Sequence, residues 1–280
     1  IKPLQALALI ETGAASAFQV KETELALATA SHSATKTHIE AISSWLNRIG
    51  LSDLDLECAG HNPLSRKADI DLIREKKVPG AIHNNCSGKH AGFLTTALHM
   101  GEKTKGYTNF IHPVQQRLLE ILSVMGGVDL ATMPRGIDGC GIPVIGMPLA
   151  ALATGLARMA DPKDLNATRA EAADQIISAM TNHPHLVAGP ERFDTLTMEQ
   201  ANSTCVVKTG AEGVYAGILP ELGLGVALKI DDGAKRAAEA SMSAILKYLG
   251  VLKNSPETPI FSSAKKKVGI IRMQAGWAGE

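Results

Sequence analysis

Apolar residues recurring at intervals of three and four mark a series of amphipathic helices along the first two thirds of the chain. The first runs from Pro3 to Ile10, with proline at an early position and Leu4, Leu7 and Ala8 before a stop at Gly13; Lys2 stands at its mouth. A second segment, Glu22 to Ala30, leads directly into the polar trio Ser31-His32-Ser33. A third opens on a capping box, Thr37 to Glu40, and carries Ile39, Ile42, Trp45, Leu46 and Ile49 until Gly50. From Leu51 to Gly80 the pattern is loop-like around a short charged helix near Lys67 to Lys76. Ser87 reads as an N-cap for the stripe Phe93, Leu94, Ala97 and Leu98, which stops at Gly101. Further helices are predicted from Pro113 to Gly126, Pro148 to Met159 and Thr168 to Met180.

After the loop His183-Pro184-His185 and Ala188-Gly189-Pro190 the pattern changes. Cys205 to Lys208 is a β-branched run, and Val214 to Leu219 and Gly223 to Ile230 read as strands joined through Pro220-Glu221-Leu222. A periodic helix, Lys235 to Leu249, and a last strand, Val268 to Met273, follow. The pattern predicts an α/β (α+β) protein: one catalytic domain of two interlocked lobes. One is a helical lobe over roughly 51–180; the other, from 1–50 and 181–280, is a sheet packed by the terminal helices.

Composition narrows the function. Basic and acidic residues balance at 28 each, leaving no electrostatic footprint for nucleic acid or an acidic membrane, so a small-molecule substrate is expected. Apolar runs break well short of a membrane span. Four cysteines without a paired C-x-x-C motif do not form a disulfide scaffold, and a reducing, cytoplasmic setting is expected.

The chemistry concentrates in Asn84-Asn85-Cys86-Ser87-Gly88-Lys89-His90-Ala91-Gly92. Cys86 falls at a helix start, where the dipole favours thiolate, and Lys89 lies one turn on, on the same side. A thiolate there suits a nucleophile or a metal ligand. Cys205 and Lys208 repeat the spacing on a strand, where side chains alternate and cannot chelate, so Cys205 reads as core. A second thiol, Cys140, sits in the glycine-rich turn Gly136-Ile137-Asp138-Gly139-Cys140-Gly141-Ile142-Pro143. Cys58 and His61 read as structural, and His183 and His185 have no partner at ligand spacing.

Serine hydrolases that use lysine as base need a serine at a helix start with lysine one turn later, a second hydroxyl, and a lysine on a neighbouring strand. Ser31-His32-Ser33 and the strand-borne Lys208-Thr209-Gly210 supply the last two in that order. Lys2 occupies the lysine position of the first motif, whose serine would fall two positions before Ile1; an upstream segment is therefore expected. Ser262 to Lys265 has the same spacing but sits in a turn.

Together the opening KPLQALALIETG, Ser31-His32-Ser33, NNCSGKHAG at 84–92, GIDGCGIP at 136–143 and KTGAEG at 208–213 resemble the rhizobial-type L-asparaginases, the asparaginase II family, over nearly the whole chain. The resemblance implies a fold like the serine β-lactamases and penicillin-binding proteins, hydrolysis of L-asparagine to L-aspartate and ammonia, and a homodimer. By position it implies that Lys2, Ser31 and Lys208 are catalytic, that Cys86, Lys89 and Cys140 surround zinc, and that His90, Asp138 and Gly141 lie beside the substrate. The alternatives are a β-lactamase- or peptidase-like acyl hydrolase, against which the second motif reads Ser-His-Ser, and a zinc- or amino-acid-binding module without turnover.

Overall fold

The computed structural model describes residues 1–254 and 258–277. Its helices begin with α1 (Lys2–Glu11), α2 (Ala14–Ala17), α3 (Glu22–Ala28) and α4 (Lys36–Arg48). Helix α1 is buried on nearly every side from Pro3 to Leu9. Helix α4 is amphipathic and buries Ile42, Trp45 and Leu46. It starts two residues earlier than its sequence pattern suggests: Thr35 is the cap, and the His38 ring replaces the glutamate of the capping box, its Nδ1 accepting the Thr35 N–H at 3.2 Å.

Next come α5 (Arg66–Arg74), α6 (Ser87–His99) and α7 (Pro113–Gly126). In α6 the cap position belongs to Cys86, not to Ser87 as its residue type suggests. The Ser87 hydroxyl is already committed to tertiary contacts, donating to the Ile82 carbonyl at 2.8 Å. Strands β1 (Arg135–Ile137) and β2 (Pro143–Ile145) make a small antiparallel hairpin where a turn-rich loop was expected. The middle of the chain closes with α8 (Leu149–Ala160), α9 (Ala167–Asn182) and α10 (Pro184–Val187).

Helix α11 (Phe193–Gln200), which the apolar pattern does not mark, leads into the sheet β3 (Val206–Thr209), β4 (Val214–Leu219) and β5 (Leu224–Lys229). The three strands are antiparallel in the order β3-β4-β5, with Lys208 opposite Ala216 and Thr209 opposite Tyr215. Helix α12 (Lys235–Tyr248) and the antiparallel pair β6 (Thr258–Phe261) and β7 (Lys267–Ile271) complete the described elements. Ser262 and Lys265 lie in the turn between β6 and β7, with the Lys265 N–H donating to the Ser262 carbonyl at 2.9 Å.

Helices α8 and α12 cover the sheet, whereas α1 packs among α6, α7 and α9. That placement follows from the burial of α1: a helix apolar around most of its girth belongs inside a helical layer. One hydrophobic cluster runs from Leu4 through Trp45, Leu94, Met125 and Ile176 to Tyr215, Met242 and Leu252. No helix among the described residues is long and apolar enough to cross a membrane.

Candidate active site

Ser31 lies in the connection between α3 and α4, and hydrogen bonds to two distant segments fix it in place. The Ser31 N–H donates to the Val187 carbonyl at 2.9 Å, the His32 N–H to Asn85 at 3.1 Å, and the Ser33 hydroxyl to Ala188 at 2.7 Å. Two lysines converge on Ser31 Oγ: Lys2 Nζ, from the start of α1, at 2.9 Å and Lys208 Nζ, from β3, at 2.8 Å. Lys2 also donates to the Ala30 carbonyl, and Lys208 to the carbonyl of Thr209 at 2.9 Å. Three remote segments thus meet on one hydroxyl.

Burial sets the ionisation here. It lowers Lys208 to about 7, against the opposing charge of Asp194, and it lowers Lys2 as well. Two ammonium groups on one hydroxyl would repel, so a state with one neutral amine, able to accept a proton from Ser31, lies within reach of neutral pH.

The second cluster begins at Cys86. The Asn84 side chain accepts the Cys86 N–H at 2.9 Å and donates to the Ala59 carbonyl at 2.6 Å, fixing the turn into α6. The helix then passes very close to α3: a Cβ at Gly88 would lie 2.4 Å from the Leu27 carbonyl oxygen, so only glycine fits between Cys86 and Lys89. Lys89 is buried, 3.1 Å from Cys140 Sγ and 4.0 Å from the half-exposed Asp138 carboxylate. Gly141, at φ +88°, closes the turn on which Asp138 and Cys140 sit, its N–H donating to the Asp138 carbonyl at 2.8 Å.

The two thiols are unequal. The neighbouring Cys140, with Lys2 and Lys89 nearby, holds Cys86 well below the ordinary thiol range despite its burial; Cys140, whose Sγ donates to the Asp138 carboxylate at 3.4 Å, is pushed up by Cys86 and by burial. Burial acts to lower Lys89, but Cys86, Cys140 and Asp138 together outweigh it and raise the amine.

His90, on α6, is fully buried and held neutral by burial and by Lys89 and Lys2. Its Nδ1 lies 2.8 Å from the Tyr107 hydroxyl, which accepts the Glu57 N–H at 2.8 Å and so donates its own proton to the ring. The remaining Nε2–H has no partner among the described residues.

Lys2, Ser31 and Lys208 thus form one constellation, and Lys89, Cys140 and Asp138 a second with Cys86 at its edge; Gly141 shapes the turn of the second. Cys58 is buried, its thiol pushed up to about 12 mainly by desolvation, and His61 Nε2 accepts the Asn85 N–H at 2.9 Å. His183 pairs with Glu22 at 3.0 Å. A cleft of about 430 Å³ against Gln200, Leu219, Leu249 and Lys253 contains none of these groups.

Sequence reading missed Asp194 and Arg192, which flank Phe193 at the start of α11. Arg192 Nη1 lies 3.3 Å from Ser33 Oγ, and Asp194 accepts the Thr209 N–H at 3.0 Å. The available signal was an acidic residue shortly after Pro190, where first helical turns often carry one. The family model for L-asparaginase II matches residues 1–273. Comparison with curated proteins gives no significant match.

Proposed function

The chain belongs to the L-asparaginase II family, and from that membership we propose that it hydrolyses the side-chain amide of L-asparagine to L-aspartate and ammonia by a serine–lysine mechanism. The observation that carries the mechanism is the Ser31 hydroxyl held at 2.9 Å and 2.8 Å from the amines of Lys2 and Lys208.

In this reading an uncharged lysine takes the proton of a serine hydroxyl as that oxygen attacks the amide carbon. The resulting ammonium returns the proton to the departing nitrogen, ammonia leaves, and an ester to the serine remains. Water, deprotonated by the same amine, then cleaves the ester and restores the serine. Lysine at its ordinary pKa is a poor base near neutrality, and the lowering of Lys208 to about 7 supports its use as one. Lys2, the second amine on Ser31, shares in the same proton network. The strand-borne Lys208, on a sheet covered by α8 and α12, supports a fold of serine β-lactamase type; a cytoplasmic homodimer completes the proposal.

Cys86, Lys89 and Cys140 fit a zinc ion: two thiols, one held well below the ordinary thiol range, and an amine 3.1 Å from the second sulfur. Among the described residues no three His, Cys, Asp or Glu side chains gather to hold a metal, so this site depends on Lys89 as its third donor. When bound, zinc would supply positive charge to orient the substrate. Asp138 offers a half-exposed carboxylate for an α-ammonium group, Gly141 maintains its turn, and His90 offers its unpartnered Nε2–H.

The test is ammonia release from L-asparagine by the full-length protein, alongside mass spectrometry after incubation with a penicillin. Release without a covalent penicilloyl adduct is expected. A folded protein that forms the adduct, or that releases no ammonia, would overturn the assignment.

A further inference from the structure

Asp194 is 1% exposed at the start of α11, behind the strand that carries Lys208. Its Oδ1 accepts two hydrogen bonds, from the Thr209 N–H at 3.0 Å and from the Tyr215 hydroxyl. Thr209 and Tyr215 are cross-strand partners on β3 and β4, so the carboxylate clamps the sheet at the pair immediately after Lys208. Its Oδ2 is buried with no hydrogen-bond partner among the described residues. Leaving a carboxylate oxygen buried and unpaired is costly, and two acceptor contacts to Oδ1 do not by themselves require a charge.

The charge has a use in the field around Lys208. Lys2 meets Lys208 on the shared Ser31 oxygen, and Arg192, the residue before α11, adds a second positive charge; Cys86, at the head of α6, and Asp194 are the negative groups that oppose them. Asp194 itself receives the Tyr215 phenol of β4 and feels the charge of Lys208, and Glu239 of α12 adds negative charge near Tyr215. We propose that Asp194 is a positioning residue for Lys208: it pins the backbone beside that lysine and, through its negative charge, holds enough of the amine as ammonium against Ser31 for the proton to be shared between them. The inference rests on the serine–lysine reading for its catalytic meaning, but not for its test.

Asp194 is the first of the groups that oppose the loss of charge on the desolvated Lys208. The experiment is a pH titration of the Lys208 Cε resonance in full-length protein carrying ¹³C-lysine, the signal being identified by its loss in Lys208→Arg. Asp194→Asn keeps an acceptor for Thr209 and Tyr215 and removes the charge. It is expected to lower the Lys208 midpoint by about one pH unit and to move the acid limb of kcat/KM by the same amount. Asp194→Glu, which retains the charge, and Tyr215→Phe, which retains the carboxylate, are expected to leave the midpoint within about 0.3 unit of the parent.

An unchanged midpoint in Asp194→Asn, or an equal displacement in Tyr215→Phe, would overturn the proposal. Should Asp194→Asn not fold, a displaced midpoint in Asp194→Glu would overturn it equally. Absence of ammonia release by the parent would count against the functional reading alone, because the resonance titrates without turnover.

Discussion

His32 Nε2 lies 2.9 Å from Ser87 Oγ, and this bond ties the turn that carries Ser31 to the helix end that carries Cys86. His32 Nδ1 accepts the Ala34 N–H at 3.1 Å, so Nε2 bears the ring proton and donates it to Ser87, whose own proton goes to the Ile82 carbonyl. Every polar atom of the link is occupied. A second proton on His32 would have to displace the Ala34 N–H, and the two clusters would lose their shared support.

Acid lability follows from that arrangement. Burial, with neighbouring positive groups, holds His32 and His90 well below the usual 6.5 and His38 at about 4. The unfolded chain takes up these protons near 6.5 and the folded chain does not, so their contribution is complete above pH 6.5 and is lost as pH falls toward the folded values. His38 alone would cost about 3 kcal/mol once both states are protonated. Urea midpoints should stay nearly level from pH 7.5 to about 7 and fall progressively from there to pH 5, and a flat profile throughout would mean that these rings are not held neutral.

Gly88→Ala should destabilise the protein by about 1–3 kcal/mol, because the added methyl meets the backbone of Leu27 rather than a side chain that can move. Gly92→Ala, on the same helix, meets only ordinary contacts near 3.6 Å and gains helix propensity, so it should be neutral or mildly stabilising. Chemical denaturation of the pair provides an internal control. Equal effects would mean that the close approach of α6 to α3 is not what Gly88 serves.

The same contrast explains how much the sequence disclosed. Ile42, Trp45 and Leu46 mark α4 because a buried apolar stripe repeats with the helical period. Helix α11 buries Asp194, Thr195 and Thr197 beside Met198 while exposing Leu196, so most of its inward positions are polar and the apolar pattern is too sparse to mark it. Cys86 and Lys89 were readable as neighbours because one helical turn joins them. The Tyr107 hydroxyl that sets the His90 tautomer, and the His32 contact that removes Ser87 from the cap, come from segments far apart in the chain. Local spacing carries no trace of such pairings.

Ser31→Ala removes the one oxygen on which both amines converge, while Lys2 keeps the Ala30 carbonyl and Lys208 that of Thr209. Ammonia release should fall by about 10³-fold or more, with the unfolding midpoint nearly unchanged. A coupled ammonia assay beside a thermal melt separates the two effects. Appreciable residual turnover would remove Ser31 from the mechanism.

Zinc affinity should be lost in Cys140→Ser and should depend steeply on pH in the parent. Serine offers a hydroxyl where the site needs a thiolate, so bound zinc measured by elemental analysis should drop well below the parent stoichiometry. Cys86 is held well below the ordinary thiol range, whereas Cys140 and Lys89 are both raised and must each give up a proton before they can ligate. Two protons released per ion make the affinity rise by about 100-fold per pH unit below both pKa values. Chelator competition at pH 6.5 and 7.5 measures that slope. A slope near tenfold would leave only one of the two as a ligand, and a pH-independent affinity would exclude both, since neither can bind zinc while it holds its proton.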